Sequence, residues 1–171
     1  WRLAASASYR IGAYEESDSP ALSGMGDRDS TLLAGLALRL ELPGGVRMLL
    51  DYEYDVLDKI GGGAAKARFS KAFQAGWLRI GPQVQVNWLS EELANHDFGV
   101  PQSAATATRP AYDVGSSVSY EVGFTSFIEL SEDWRVILNL SAEFLPDEVV
   151  ASPIVAEDRV IKGFAAITYV F

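Results

Sequence analysis

One histidine, no cysteine and 23 carboxylates among 171 residues bound the chemistry open to this chain. His96 is the candidate base. A histidine beside a serine hydroxyl makes a nucleophile, the arrangement of serine–histidine lipid hydrolases. Ser90 and Ser103 are the nearest candidate hydroxyls, but no His-x-Ser pattern is present, and His96 precedes Asp97-Phe98 in a stretch that reads as a loop. A solvated loop histidine fits those neighbours better than a catalytic one. Asp27-x-Asp29 begins like a calcium loop yet lacks the fuller Asp/Asn pattern and the closing Glu. The acids around it (Glu15, Glu16, Asp18) and those of later loops (Glu91, Glu92, Asp97, Asp147, Glu148) read first as solvated surface, and second as a place for divalent cations or a basic ligand. No catalytic residue, cofactor site or metal site is assigned.

Charged residues spaced two apart say more. Arg47, Asp51, Glu53 and Asp55 share one face of a stretch whose other face is Val46, Met48, Leu50, Tyr52, Tyr54 and Val56. Period-two alternation is the mark of a strand. Four ionisable side chains on one face cannot enter a dry core. Opposite them runs an unbroken apolar row. That pairing fits lipid on one side and a wet or charge-paired lumen on the other.

The same alternation recurs along the chain. Strands are expected over 1–13, 30–42, 46–57, 64–74, 77–89, 112–130, 134–144 and 159–171. Their charged faces carry Arg39, Arg79, Glu121, Arg135 and Glu143, which with Arg47, Asp51, Glu53 and Asp55 are the candidate lumen-facing charges. Two readings of them stay open: a selective aqueous path, or an internally paired network that fills a narrow barrel. The signs are nearly balanced and Leu33, Leu49, Trp77, Phe127 and Phe164 add inward bulk, which favours the filled lumen. The weakest strand is 64–74, where Lys71 shares the apolar face; near the rim it can snorkel. Pro82 predicts a local distortion within 77–89.

Connection lengths alternate. Pro43-Gly44-Gly45, Ala75-Gly76 and Ser131-Glu132-Asp133 are short, and the others are longer, the longest being 90–111. Transmembrane barrels have short periplasmic turns and longer outer loops, and a soluble sandwich has no reason to obey that rule. The last strand ends on Tyr169 and Phe171, which resemble the terminal signal read by the barrel assembly machinery. A net charge of −9 and a pI near 4.6 argue against nucleic acid. Mean hydropathy is +0.08 and no run of about 18 apolar residues exists, so no transmembrane helix is expected. The fold class is therefore all-β: a transmembrane antiparallel up-and-down β-barrel, one domain over 1–171, in the Gram-negative outer membrane.

Several segments together resemble the MltA-interacting protein (MipA/OmpV) family. They are Ser8-Tyr9-Arg10, Asp18-Ser19, the run from Leu22 to Thr31, Tyr54–Asp58 with Gly61-Gly62-Gly63, Asp97–Val100 with Ser103-Ala104-Ala105, Ser152–Val155 and Tyr169-Val170-Phe171. No single piece is specific; their order and spacing are. The resemblance implies an outer-membrane protein, not an enzyme, in contact with lipid and lipopolysaccharide. It also implies a signal peptide and further strands ahead of Trp1, making a parent barrel of about ten to twelve strands. A scaffold role among peptidoglycan-remodelling enzymes comes with the family; a narrow channel for ions or small solutes is the alternative.

Overall fold

The computed structural model describes residues 1–169. Its eight long strands form one antiparallel sheet curled into a half-barrel. They are β1 (Arg2–Arg10), β2 (Thr31–Leu42), β3 (Val46–Asp55), β4 (Gly63–Lys71), β6 (Leu78–Leu89), β7 (Ser117–Glu129), β8 (Trp134–Phe144) and β9 (Arg159–Tyr169). A three-residue β5 (Phe73–Ala75) pairs with β6, and the order across the sheet is otherwise β1-β2-β3-β4-β6-β7-β8-β9. Apart from β4 and β6, which flank the short β5 in sequence, every neighbour in the sheet is a neighbour in sequence, the up-and-down meander expected. Among the described residues β1 and β9 do not pair with each other.

Burial follows the inverse of a soluble protein. In β3, Asp51, Glu53 and Asp55 are 8%, 5% and 2% exposed, while Tyr52 and Tyr54 between them are 52% and 48% exposed. In β7, Ser117, Ser119 and Glu121 are buried and Val118, Tyr120 and Val122 are exposed. A water-soluble sheet would bury the second set. Here the convex face is apolar and the concave face polar, as lipid outside and lumen inside require. Among the described residues no helix is long and apolar enough to cross a membrane.

The short turns gather at one end of the half-barrel. Pro43–Gly45 joins β2 to β3, with Gly44 at φ 75° and Gly45 at φ 74°, a left-handed pair that lets the strands reverse in three residues. Lys71 pairs with Val46 beside that turn, and its Nζ lies 5.4 Å from the Phe73 ring, so it sits at the rim rather than the midplane. The distortion near Pro82 appears on the neighbouring strand. β4 and β5 share one register against β6 (Ser70↔Gln83, then Phe73↔Ile80), and the interruption falls opposite Gly81-Pro82. Proline has no N–H to donate to that neighbour.

The stretch 112–116, expected to begin the sixth strand, is not strand. Tyr112 instead makes an isolated antiparallel bridge to Val100. The long connections also fold where open loops were expected. α1 (Glu91–Phe98) and α2 (Asp147–Val150) form, and two apolar clusters hold them over the sheet's end. One joins Leu22, Met25, Val100 and Ala104; the other joins Ala94, Val114 and Val149, and Tyr112 packs against both.

Leu36 is 58% exposed at the middle of β2, opposite Tyr52. In water an exposed Leu→Arg change is worth within about ±0.5 kcal/mol. On a lipid face it costs about 2–4 kcal/mol near the midplane. Leu36→Arg is therefore expected to lower stability by about 2–4 kcal/mol in urea-dependent folding into phosphatidylcholine vesicles.

Candidate functional site

The polar face of the sheet and the folded loops above it enclose a cavity of about 660 Å³. Its walls come from alternate residues of successive strands. They include Asp51 and Glu53 of β3, Lys66 and Arg68 of β4, Gln85 and Asn87 of β6, Ser119 and Glu121 of β7, Glu143 of β8 and Lys162 of β9. Antiparallel register sets these side chains side by side: Asn87 faces Ser119, Gln85 faces Glu121 and Glu121 faces Glu143.

The charges satisfy one another. Lys162 donates from Nζ to Glu121 Oε2 at 3.1 Å and to Glu143 Oε2. Glu143 Oε1 accepts from Asn87 Nδ2 at 3.1 Å and from Ser119 Oγ. Gln85 Nε2 donates to Asn87 Oδ1 at 2.5 Å, and Arg68 Nε donates to Gln85 Oε1 at 2.6 Å. On the other flank Ser8 Oγ donates to Glu53 Oε2 at 2.6 Å and Lys66 lies 3.6 Å from Asp51. The direct Glu121–Glu143 opposition would be repulsive alone. Lys162, between them, turns it into a bridge.

Asp97 closes the top. It sits in the last turn of α1 and its carboxylate accepts from Arg10 Nη2 on β1. His96 Nδ1 lies 3.1 Å from Asp97 Oδ1, and His96 is mostly buried, not the solvated loop residue its neighbours suggested. Ser90 Oγ accepts from the Gly63 N–H at 3.1 Å, and no hydrogen bond joins His96 to Ser90 or Ser103 among the described residues. Arg109, which sequence reasoning passed over, is buried and ties two loops together. Its guanidinium donates to the carbonyls of Ala21, Ser23 (3.0 Å) and Ala104 (2.8 Å). No spacing rule marks such a residue, since its partners are backbone atoms and two of the three lie more than 80 positions away. Asn95 of α1 donates to Asp113 Oδ1 at 2.7 Å, and this bond, with the Gly115 N–H, holds that carboxyl below its ordinary range. Glu16 accepts from the N–H groups of Gly24 and Gly26, so this loop acid serves its own loop's backbone.

The remaining expected positions fall elsewhere. Asp55 is buried at the end of β3, where it accepts from Thr31 Oγ1 and from the N–H groups of Leu57, Ile60 and Gly61. It organises the β3–β4 connection rather than lining the cavity. Arg39, Arg47 and Arg79 lie toward the short-turn end around a second cavity of about 590 Å³, and Arg135 is exposed at that end of β8. Tyr169 packs edge-on against Trp134, ring centroids 5.0 Å apart; Phe171 lies outside the described residues.

The family described as MltA-interacting protein MipA matches residues 1–171. The chain belongs to that family. It is 25% identical over 158 residues to the outer membrane protein Omp26La of Vibrio anguillarum, a match covering 92% of this chain and 61% of that protein. It is 25% identical over 143 residues to the outer membrane protein OmpV of Vibrio cholerae serotype O1, covering 84% of this chain and 55% of that protein. The chain thus spans less than two thirds of the length of these curated relatives. No solved structure matches. Family and relatives agree with the inverted burial: this is an outer-membrane β-barrel protein of MipA/OmpV type.

The Arg10–Asp97 contact is the charged tie between cap and wall. Arg10→Ala leaves Asp97 buried without its cation. Breaking a buried pair costs about 3–5 kcal/mol, and the partial exposure of Arg10 reduces that to about 2 kcal/mol. Backbone amide exchange across 91–98 is expected to quicken, and Arg10→Ala with Asp97→Asn to recover part of the protection.

Proposed function

We propose that this protein is a structural and interaction barrel of the envelope, not an open pore. The observation that carries this reading is the lumen beneath the cap, where Glu143, Lys162, Glu121, Asn87 and Ser119 are joined to one another by hydrogen bonds. Ion conduction needs sites weak enough to leave, and carboxylates clamped by a lysine and an amide are not such sites. Among the described residues β1 and β9 do not pair with each other, and a sheet edge cannot face lipid with open backbone groups. Further strands, for which the length of the curated relatives leaves room, close the sheet in this reading.

The short-turn end faces the periplasm and the cap faces outward, by the rule that relates loop length to side. The protein then meets lipid with its convex face and lipopolysaccharide near the cap. The barrel assembly machinery inserts it, with Tyr169 and Phe171 in the recognised terminus. The family's name supports a peptidoglycan-remodelling enzyme, a lytic transglycosylase, as the periplasmic partner.

Two measurements check this. In planar bilayers the protein is expected to give no reproducible conductance step; a steady open level of defined size would establish the channel reading instead. In the second, purified lytic transglycosylase is passed over the protein held in nanodiscs with one face accessible at a time. Saturable binding is expected on the short-turn side only, and its absence there removes the scaffold role.

A further inference from the structure

The charges of the lumen are sorted by depth. Toward the cap, acids and bases meet in pairs. Toward the short turns, Arg2, Arg39, Arg47, Arg68 and Arg79 surround the cavity of about 590 Å³, and among the described residues its one lining carboxylate is Glu41, the cross-strand partner of Arg47. Among the described residues none of these five arginines is within ion-pair distance of an acid, while Arg10, Lys66 and Lys162 nearer the cap all are.

Arg2, Arg39, Arg47 and Arg79 are exposed and Arg68 is half-buried, and three features bear on what they could hold. Arg2 and Arg39 are direct cross-strand partners, a like-charge opposition that weakens a sheet unless something negative lies between. Arg68 and Arg79 are held in place by neutral groups, Gln85 Oε1 at 2.6 Å and Gln74 Oε1 at 3.0 Å. Arg79 also lies over the Phe127 ring, 5.8 Å from its centroid. These contacts orient two guanidiniums and leave their charge unspent. Planar guanidinium forks match carboxylate and phosphate oxygens in pairs. The cavity has the volume of ordinary small-molecule sites, about 300–1,000 Å³.

We propose that this vestibule is a binding site for a small polyanion, one carrying several carboxylate or phosphate groups. The anion sits between Arg2, Arg39, Arg47 and Arg79, with Arg68 as the floor. Arg68 is also the first member of the hydrogen-bonded chain through Gln85 and Asn87 to Glu143. Binding does not depend on whether the lumen conducts. Only the approach from the periplasm rests on the orientation proposed above.

The test is calorimetric titration of the protein in nanodiscs with citrate and, separately, with tripolyphosphate, at low and at moderate salt. Saturable binding is expected, weakening at least tenfold at the higher salt and at least tenfold in the triple variant Arg39→Gln, Arg47→Gln, Arg79→Gln. Glu41→Gln, which adds no bulk and removes the one negative charge, is expected to tighten it severalfold. Lys59→Gln, exposed in the β3–β4 connection at the opposite end of the sheet, leaves it unchanged. Preference between the two probes assigns the ligand as carboxylate or phosphate. Absence of saturable binding to either probe overturns the proposal, because carboxylates from elsewhere in the barrel then neutralise the arginines. Binding that survives the triple variant, or that Glu41→Gln fails to strengthen, overturns it as well.

Discussion

The carboxylate of Glu143 is where four strands meet. It sits on β8 and accepts from Asn87 of β6, Ser119 of β7 and Lys162 of β9. A strand in lipid must settle two accounts at once. Its backbone is satisfied by the ladders on either side. Its polar side chains turn to each other and to the lumen, since the opposite face is given to hydrocarbon. An isolated carboxylate in such a place is far costlier than a bonded one. So the register that pairs Glu121 with Glu143, and Ser141 with Lys162, is held by charge as well as by backbone. A slip of one residue would turn Glu143 toward lipid and Phe144 inward.

The cap depends on that arrangement. Its interior is apolar, built on Leu22, Met25, Val100, Ala94, Val114 and Val149, and would hold together as a small cluster. What fixes it over the lumen is polar: Asp97 reaching down to Arg10, and Gly62 and Gly63 lying against Ser90 at the start of α1. A Cβ on Gly62 would lie 2.1 Å from Ser90 Oγ, and its φ of 79° is left-handed, so both space and conformation call for glycine there. The long connections thus form an apolar core at one end of a sheet whose own apolar face is exposed.

The sheet was legible because period two is a local signal. Trp134–Phe144 was found to the residue, and Pro43-Gly44-Gly45 marked its turn by chemistry that acts within three positions. The cap was not legible. Leu22, Met25, Val100 and Ala104 share no periodicity, and they become a core only when loops that lie far apart in sequence are brought to one end of the sheet. The same limit hid the burial of His96, which depends on where α1 lies and not on its neighbours in the chain. For the lumen, alternation told which face each charge takes but not how deep it sits. Depth comes from register. Summed over the whole face, the signs nearly cancel; ordered along the strand axes, they separate.

That separation runs against stability. Pairing Arg39 with an acid, in the way Lys66 is paired with Asp51, would relieve the opposition to Arg2 without disturbing the apolar face. Glu41 stands opposite Arg47, but to Arg68 and Arg79 the chain supplies Gln85 and Gln74, side chains that can orient a guanidinium but cannot neutralise it. The chain as a whole carries −9, so this basic pocket is local, embedded in a molecule that repels anions at a distance. Screening limits that repulsion to about 8–10 Å at physiological salt, and inside a walled cleft the nearby charges dominate the field. Residues kept at a cost to the fold, oriented by neutral partners and aimed into a common space are better accounted for by what enters that space than by the sheet that bears them.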